Sequence, residues 1–127
     1  MIVLDTHVWL WWLTAPDRLS VAASDAIAAA DSIGVSTISC WEVGMLSERG
    51  RITLDRPVGQ WVRAALNADG RSVAIAPDER VAVDAATLDL HGDPADRFIY
   101  ATARTASARL VTRDQRLRQF DPTLTLW

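Results

Sequence analysis

Four acidic residues occur where an apolar segment ends or a predicted helix begins, and together their side chains could hold a metal ion. They are Asp5, Glu42, Asp96 and Asp114. Carboxylates that share a low-dielectric cleft repel one another unless a cation or a raised pKa relieves the repulsion. A site made of oxygen ligands alone favours a hard divalent ion, Mg²⁺ or Mn²⁺, over zinc.

Each of these acids also has a simpler explanation when it is considered alone. Asp5 and Asp114 can cap the helices that follow them, and Glu42 occupies a first-turn position where acids are common. Asp96 can stabilise the positive end of its helix dipole, by ~0.3–1 kcal/mol at an exposed site. Asp93 is a candidate fifth member of the cluster, although Asp-Pro is also a good turn. The metal-site interpretation is favoured because four acids fall at equivalent junctions.

Two hydroxyl residues, Thr6 and Thr112, lie next to these acids in the sequence. Metal-binding carboxylates are generally oriented by hydrogen bonds from neighbouring side chains, and both threonines are predicted to serve in this way. The alternative is the ordinary preference of β-branched residues for strand ends.

Short apolar segments alternate with helical patterns along the chain, which predicts an α/β fold with a mainly parallel sheet. A length of 127 residues predicts one domain spanning 1–127. The predicted strands are residues 2–4, 33–38, 73–76 and 110–112, with 124–127 as a candidate fifth. Predicted helices begin near Thr6, after Ser20, after the N-cap Ser39, at Pro57, after Asp78, at Asp96 and at Gln115.

Helix faces can be assigned by the same patterns. Trp41, Met45 and Leu46 are predicted to form the buried face of the helix after Ser39, and Val81, Ala82, Ala85 and Leu88 that of the helix after Asp78. In a parallel α/β sheet the strand-to-helix junctions lie at one edge, where ligands bind. The four acids are therefore expected to converge.

Charge is unevenly distributed along the chain. The net charge is −3 and all thirteen basic residues are arginines, of which six lie between positions 97 and 118 beside one acid. The arginine side chain suits phosphate, so this segment predicts a local nucleic-acid contact. The alternative is a solvated helix face in a genome that prefers arginine.

The cysteine content and the apolar segments bear on the cellular location of the protein and on its contacts with partners. Cys40 is the only cysteine, so no intramolecular disulfide forms and a cytoplasmic location is expected. The apolar run at positions 8–13 is too short to cross a bilayer. Trp9, Trp11 and Trp12 cannot all face one core from a single helix, so at least one is predicted to join an interface with a partner.

Several segments, taken in order, resemble the PIN-domain ribonucleases, and within them the toxins of VapBC-type toxin–antitoxin pairs. These segments are Leu4-Asp5-Thr6-His7, Ser39-Cys40-Trp41-Glu42-Val43, His91-Gly92-Asp93-Pro94-Ala95-Asp96-Arg97 and Val111-Thr112-Arg113-Asp114. The resemblance covers nearly the whole chain. One departure is Ala95, where the family tends to carry a bulky apolar residue.

The resemblance implies a PIN-like three-layer α/β/α sandwich with four or five short strands. It implies a Mg²⁺- or Mn²⁺-dependent endoribonuclease in which Asp5 and Asp96 are the main metal ligands and Glu42 and Asp114 complete the catalytic pocket. Arg97, Arg113 and Arg116 would hold RNA phosphates. It also implies a homodimer and an inhibitory antitoxin that places a basic side chain in the pocket. The alternative is a PIN-like scaffold that keeps the acids but binds protein or RNA without cleavage.

Overall fold

Five short parallel strands form the sheet around which the chain is organised. The computed structural model describes residues 1–127. The strands are β1 (Ile2–Leu4), β2 (Ile33–Ser36), β3 (Ser72–Ile75), β4 (Arg109–Val111) and β5 (Thr125–Leu126). Their order across the sheet is β3-β2-β1-β4-β5, and every neighbouring pair is parallel. The predicted parallel sheet is confirmed, including its fifth strand.

Seven helices connect and cover these strands. They are α1 (Thr6–Thr14), α2 (Val21–Ala29), α3 (Thr37–Glu48), α4 (Val58–Leu66), α5 (Glu79–Thr87), α6 (Pro94–Thr105) and α7 (Gln115–Phe120), with a 3₁₀ turn at Pro16–Arg18. None of them combines the length and apolar character that a membrane-spanning helix requires.

The helices lie on both faces of the sheet, which gives three layers. On one face, Leu4 and Val35 pack with apolar side chains of α1, α2, α3 and α4. On the other face, Val3 and Leu110 pack with α6 and α7. Helix α5 packs outside α6 through Val81. The predicted three-layer α/β/α arrangement is confirmed.

Strand β1 is central, and alternate residues face opposite layers because side chains in a strand alternate in direction. Val3 and Leu4 are both fully buried. Gly34, beside Val3 in β2, leaves room for that close packing, since a Cβ there would lie 2.8 Å from Ile75 Cδ1. The buried centre fixes the position of Asp5, the next residue after β1.

Two predicted helix starts are wrong by a few residues. The N-cap of α3 is Ser36, whose hydroxyl accepts the N–H of Ile38, so Ser39 lies inside the helix. Helix α6 begins at Pro94 with Asp93 as its N-cap, because proline fits the first helical turn. Asp96 is therefore a first-turn residue.

Two predicted buried faces also need correction. Trp41 is 57% exposed, and α3 instead turns Ser39 and Val43 into the protein. Ala82 of α5 is exposed, whereas Val81 and Ala85 are buried as predicted.

The three neighbouring tryptophans of α1 have different surroundings. Trp9 is fully buried and packs edge-on against Trp61. Trp11 and Trp12 are half-buried. The sequence prediction that one or both contact a partner stays a prediction.

Candidate active site

An acidic cleft of about 450 Å³ opens at the carboxyl ends of the central strands. All four predicted acids line it, together with the candidate fifth. Its lining residues are Asp5, His7, Trp11, Glu42, Asp93, Asp96, Arg113, Asp114 and Arg116. The parallel order of β2, β1 and β4 brings these junctions together, as the sequence predicted.

Asp5 is held rigidly at the floor of the cleft. Its Oδ1 accepts the N–H of Thr6 at 2.7 Å, and its Oδ2 accepts the hydroxyl of Thr112 at 2.7 Å. The side chain is a helix cap and a cleft residue at once, so the two explanations left open by the sequence are compatible. Burial raises the pKa of Asp5, and the bonds from Thr112 and Thr6 act against that rise.

Glu42 reaches the cleft from the second turn of α3 and not from the first turn as predicted, because the helix begins at Thr37. The Thr6 hydroxyl donates to Glu42 Oε1 at 2.5 Å and lies 2.9 Å from the Ser39 hydroxyl. Burial raises the pKa of Glu42, the Thr6 bond lowers it, and the charges of Asp5 and Asp93 raise it further. Thr6 and Thr112 therefore each hydrogen-bond a cleft carboxylate, which is the geometry predicted for them.

Asp96 faces the other acids from the first turn of α6. Burial, followed by the negative charges of Asp5, Glu42, Asp93 and Asp114, raises its pKa to about 7. Its side chain is only 19% exposed. Burial and these negative charges raise the pKa of Asp96 by more than the one contacting guanidinium lowers it.

That guanidinium belongs to Arg116, which bridges two of the acids. Its Nη2 lies 3.1 Å from Asp96 Oδ2 and 3.1 Å from Asp114 Oδ2. Gly92 packs against the guanidinium, and a Cβ at that position would collide with it. Burial acts to raise the pKa of Asp114, but the hydrogen bonds and charge of Arg116 lower it overall. Arg116 is thus an internal counter-ion of the cleft.

The donor set fits a hard divalent cation. Five carboxylates line the cleft and only Arg113 and Arg116 oppose their charge. Carboxylate oxygens are the ligands that Mg²⁺ and Mn²⁺ prefer. In this arrangement no three acid, histidine or cysteine side chains surround one point closely enough to coordinate a single ion.

The three arginines predicted to bind RNA have different surroundings. Arg113 lines the cleft, is exposed, and stacks 5.8 Å from the Trp11 ring centroid. Arg116 lines it while paired with acids. Arg97 lies outside the cleft lining and donates to the carbonyls of Ala85, Ala86 and Leu88 at 2.8–3.2 Å. The Arg97 side chain therefore points away from the cleft, toward the C-terminal end of α5.

Two cleft residues were not predicted from the sequence. His7 lies two residues after Asp5 in the first turn of α1, and Trp11 follows four residues later. Residues four apart lie on the same face of a helix, and this spacing was the sequence signal that could have placed both in the cleft. Their rings are 5.8 Å apart and both line the cleft.

The fold and the cleft define a class, a parallel three-layer α/β protein with an acidic site at its strand ends. The PIN domain family profile matches residues 2–121. Ribonuclease VapC22 of Mycobacterium tuberculosis is 46% identical over 117 residues, which span 92% of this chain and 89% of that protein.

Solved structures share the fold at low sequence identity. A toxin–antitoxin complex from Klebsiella pneumoniae aligns with a TM-score of 0.71 and 18% identity, covering 100% of this chain and 97% of its own. VapBC2 from Rickettsia felis, bound to a promoter DNA fragment, aligns with a TM-score of 0.68 and 14% identity. The alignment covers 99% of this chain and 98% of that chain. The chain belongs to the PIN domain family, and the resemblance to VapC-type proteins is confirmed.

Proposed function

We propose that this protein is a metal-dependent endoribonuclease and the toxin of a VapBC-type pair. The observation that carries the proposal is the cleft in which Asp5, Glu42, Asp96 and Asp114 converge at the strand ends. A relative that is 46% identical is named a ribonuclease, which supports RNA as the substrate.

Asp5 and Asp96 would hold a Mg²⁺ or Mn²⁺ ion, and Glu42 and Asp114 would complete the pocket through water. Such an ion supplies a water of lowered pKa and polarises the scissile phosphate. The mutual repulsion that raises the pKa of Asp96 supports this assignment, because a divalent cation relieves it. Asp93 contributes charge to the same cleft while capping α6.

Hydrogen bonds already fix the two carboxylates nearest the sheet. Thr112 and the Thr6 N–H immobilise Asp5, and the Thr6 hydroxyl immobilises Glu42. Preorganised ligands lose little freedom when a cation binds. Arg113 has no acidic partner and would contact an RNA phosphate at the cleft mouth, where Arg116 would join it once the acids are neutralised.

The proposal includes two protein partners. Solved relatives of the same fold include toxin–antitoxin complexes, which supports an antitoxin that inhibits this chain by placing a basic side chain among the acids. Arg116 supports the idea, because it shows that a guanidinium fits between Asp96 and Asp114. A homodimer is the expected state of the isolated protein.

The scaffold alternative also has an observation in its favour. Arg116 pairs with Asp96 and Asp114, so part of the negative charge of the cleft is balanced by the chain's own side chain. Brief expression of three forms followed by sequencing of cellular RNA ends separates the two functions. Wild type and the exposed-acid control Asp25→Asn should create the same recurrent new ends, and Asp96→Asn should create none. Identical ends with Asp96→Asn would overturn the nuclease assignment.

A further inference from the structure

A second, larger cleft adjoins the acidic one. It has a volume of about 570 Å³ and lies between α1 and α3, extending to the loop at residues 51–54. The two clefts share His7, Trp11, Glu42 and Asp93. We call this second cleft the α1–α3 groove. A chain lying in it would lead directly to the acidic site.

The arginines of the α1–α3 groove are free of acidic partners. Five of the thirteen arginines pair with aspartates, and Arg97 and Arg109 donate to backbone carbonyls. The side chains of the other six make no hydrogen bond or ion pair, and three of these six line the groove. They are Arg18, Arg49 and Arg51.

Charge within the groove is polarised along its length. Its only acids, Glu42 and Asp93, lie at the end shared with the acidic cleft. Beyond that end the charged lining is entirely arginine. This arrangement suits a polyanion that passes over guanidinium groups before it reaches the metal-binding acids.

Two aromatic side chains supply stacking surfaces in the same groove. Trp41 is 57% exposed, because α3 turns its opposite side, with Ser39 and Val43, into the protein. Trp11 lies where the two clefts meet, with the Arg18 guanidinium 5.3 Å from its ring centroid. Exposed aromatic rings beside basic groups are the usual means of holding unpaired bases.

We propose that the α1–α3 groove binds the single-stranded RNA that flanks the cleaved bond. Arg49 and Arg51 contact phosphates, Arg18 contacts the phosphate nearer the acidic cleft, and a base stacks on Trp41. The inference rests on the proposed ribonuclease function. Unpaired RNA is favoured over a duplex because stacking requires an accessible base face.

Binding of a fluorescent RNA of about 10 nucleotides tests the groove, and it is measured in EDTA so that the proposed metal-dependent cleavage does not proceed. Arg49→Ala/Arg51→Ala should weaken binding about tenfold and make it less salt-dependent, with a slope smaller by about 1.4 for two phosphates lost. Trp41→Ala should weaken binding about tenfold, and Trp41→Phe should restore most of it. Arg63→Ala is the matched control, because Arg63 is exposed and unpaired but lies outside the groove.

The possible outcomes are distinguishable. If wild type cleaves unmodified RNA but the groove variants bind the probe as wild type does, the groove inference is overturned and the nuclease proposal stands. If wild type neither binds nor cleaves RNA, both fail. If Trp41→Ala converts a dimer to a monomer by light scattering without changing RNA affinity, the groove is a protein interface and the inference is also overturned.

Discussion

Replacing Asp96 by asparagine should stabilise the metal-free protein. The substitution removes one negative charge from a cleft in which burial and four neighbouring acids raise the pKa of this carboxyl to about 7. Asparagine keeps the size of the side chain, and its amide oxygen can still accept a hydrogen bond from the Arg116 guanidinium. The fold should therefore survive, and the repulsion should fall.

The size and sign of the effect follow from the pKa. A rise from 3.8 to about 7 corresponds to roughly 4 kcal/mol of unfavourable free energy once the group is ionised. The Asp96 side chain is 19% exposed, so solvent screens part of this and we expect about 1–3 kcal/mol.

The pH dependence gives the prediction its direction. Below pH 3.8 the carboxyl is protonated in both folded and unfolded protein, so it costs nothing. As the pH rises toward 7 the unfolded state ionises first, and wild type loses stability that the asparagine variant keeps. The difference between the two should grow between about pH 4 and 7 and then level off.

Thermal unfolding in EDTA at pH 5 and pH 8, followed by circular dichroism, measures this difference. The midpoint of Asp96→Asn should exceed that of wild type by several degrees at pH 8 and by less at pH 5. Asp25→Asn, at an exposed position of α2, is the control. A lower midpoint for Asp96→Asn at pH 8 would mean that the ion pair with Arg116 outweighs the repulsion, and would refute the reasoning.

The other predictions concern metal, hydrogen bonding and assembly. Millimolar Mn²⁺ should raise the thermal midpoint of wild type but not of Asp96→Asn, since only a folded site that binds the ion is stabilised; an equal rise in both would contradict a site at this acid. Arg116→Ala should bind Mn²⁺ more tightly by calorimetry, because a competing cation is removed, whereas Arg118→Ala should match wild type. Thr112→Val should lower the free energy of unfolding by about 1–3 kcal/mol in urea, because Asp5 Oδ2 is left without its buried partner; an unchanged value would show that this bond is dispensable. The isolated protein should scatter light as a dimer at micromolar concentration, and a monomer would count against the proposed assembly.

The junction acids were predictable because their placement depends on local order. An acid directly after a buried β-branched run must lie at a strand end, and parallel strands put those ends at one edge. That reasoning places Asp5 and Asp114 at this edge, and helices that follow parallel strands begin at the same edge, which brings Asp96 and Glu42 to the same cleft. The start of α6 is harder to predict because Asp93-Pro94 fits a turn as well as the first turn of a helix, and the structure has the helix.

Contacts between elements that are far apart in the sequence could not be predicted from local sequence patterns. The pairing of Arg116 with Asp96 joins residues 20 positions apart and depends on how α7 packs beside α6. The exposure of Trp41 depends on which side of α3 meets the sheet, and that side carries Ser39 and Val43. Arg97 illustrates the same limit, because its carbonyl partners belong to another helix.

The most direct test of the central claim is cleavage of a defined single-stranded RNA by purified wild type and Asp96→Asn across a Mn²⁺ titration. We expect wild type to cleave in proportion to bound metal and to stop in EDTA, with Asp96→Asn at least about 100-fold slower. Cleavage that persists in EDTA, or that is equal in the two proteins, would show that the acidic cleft is not a metal-dependent nuclease site.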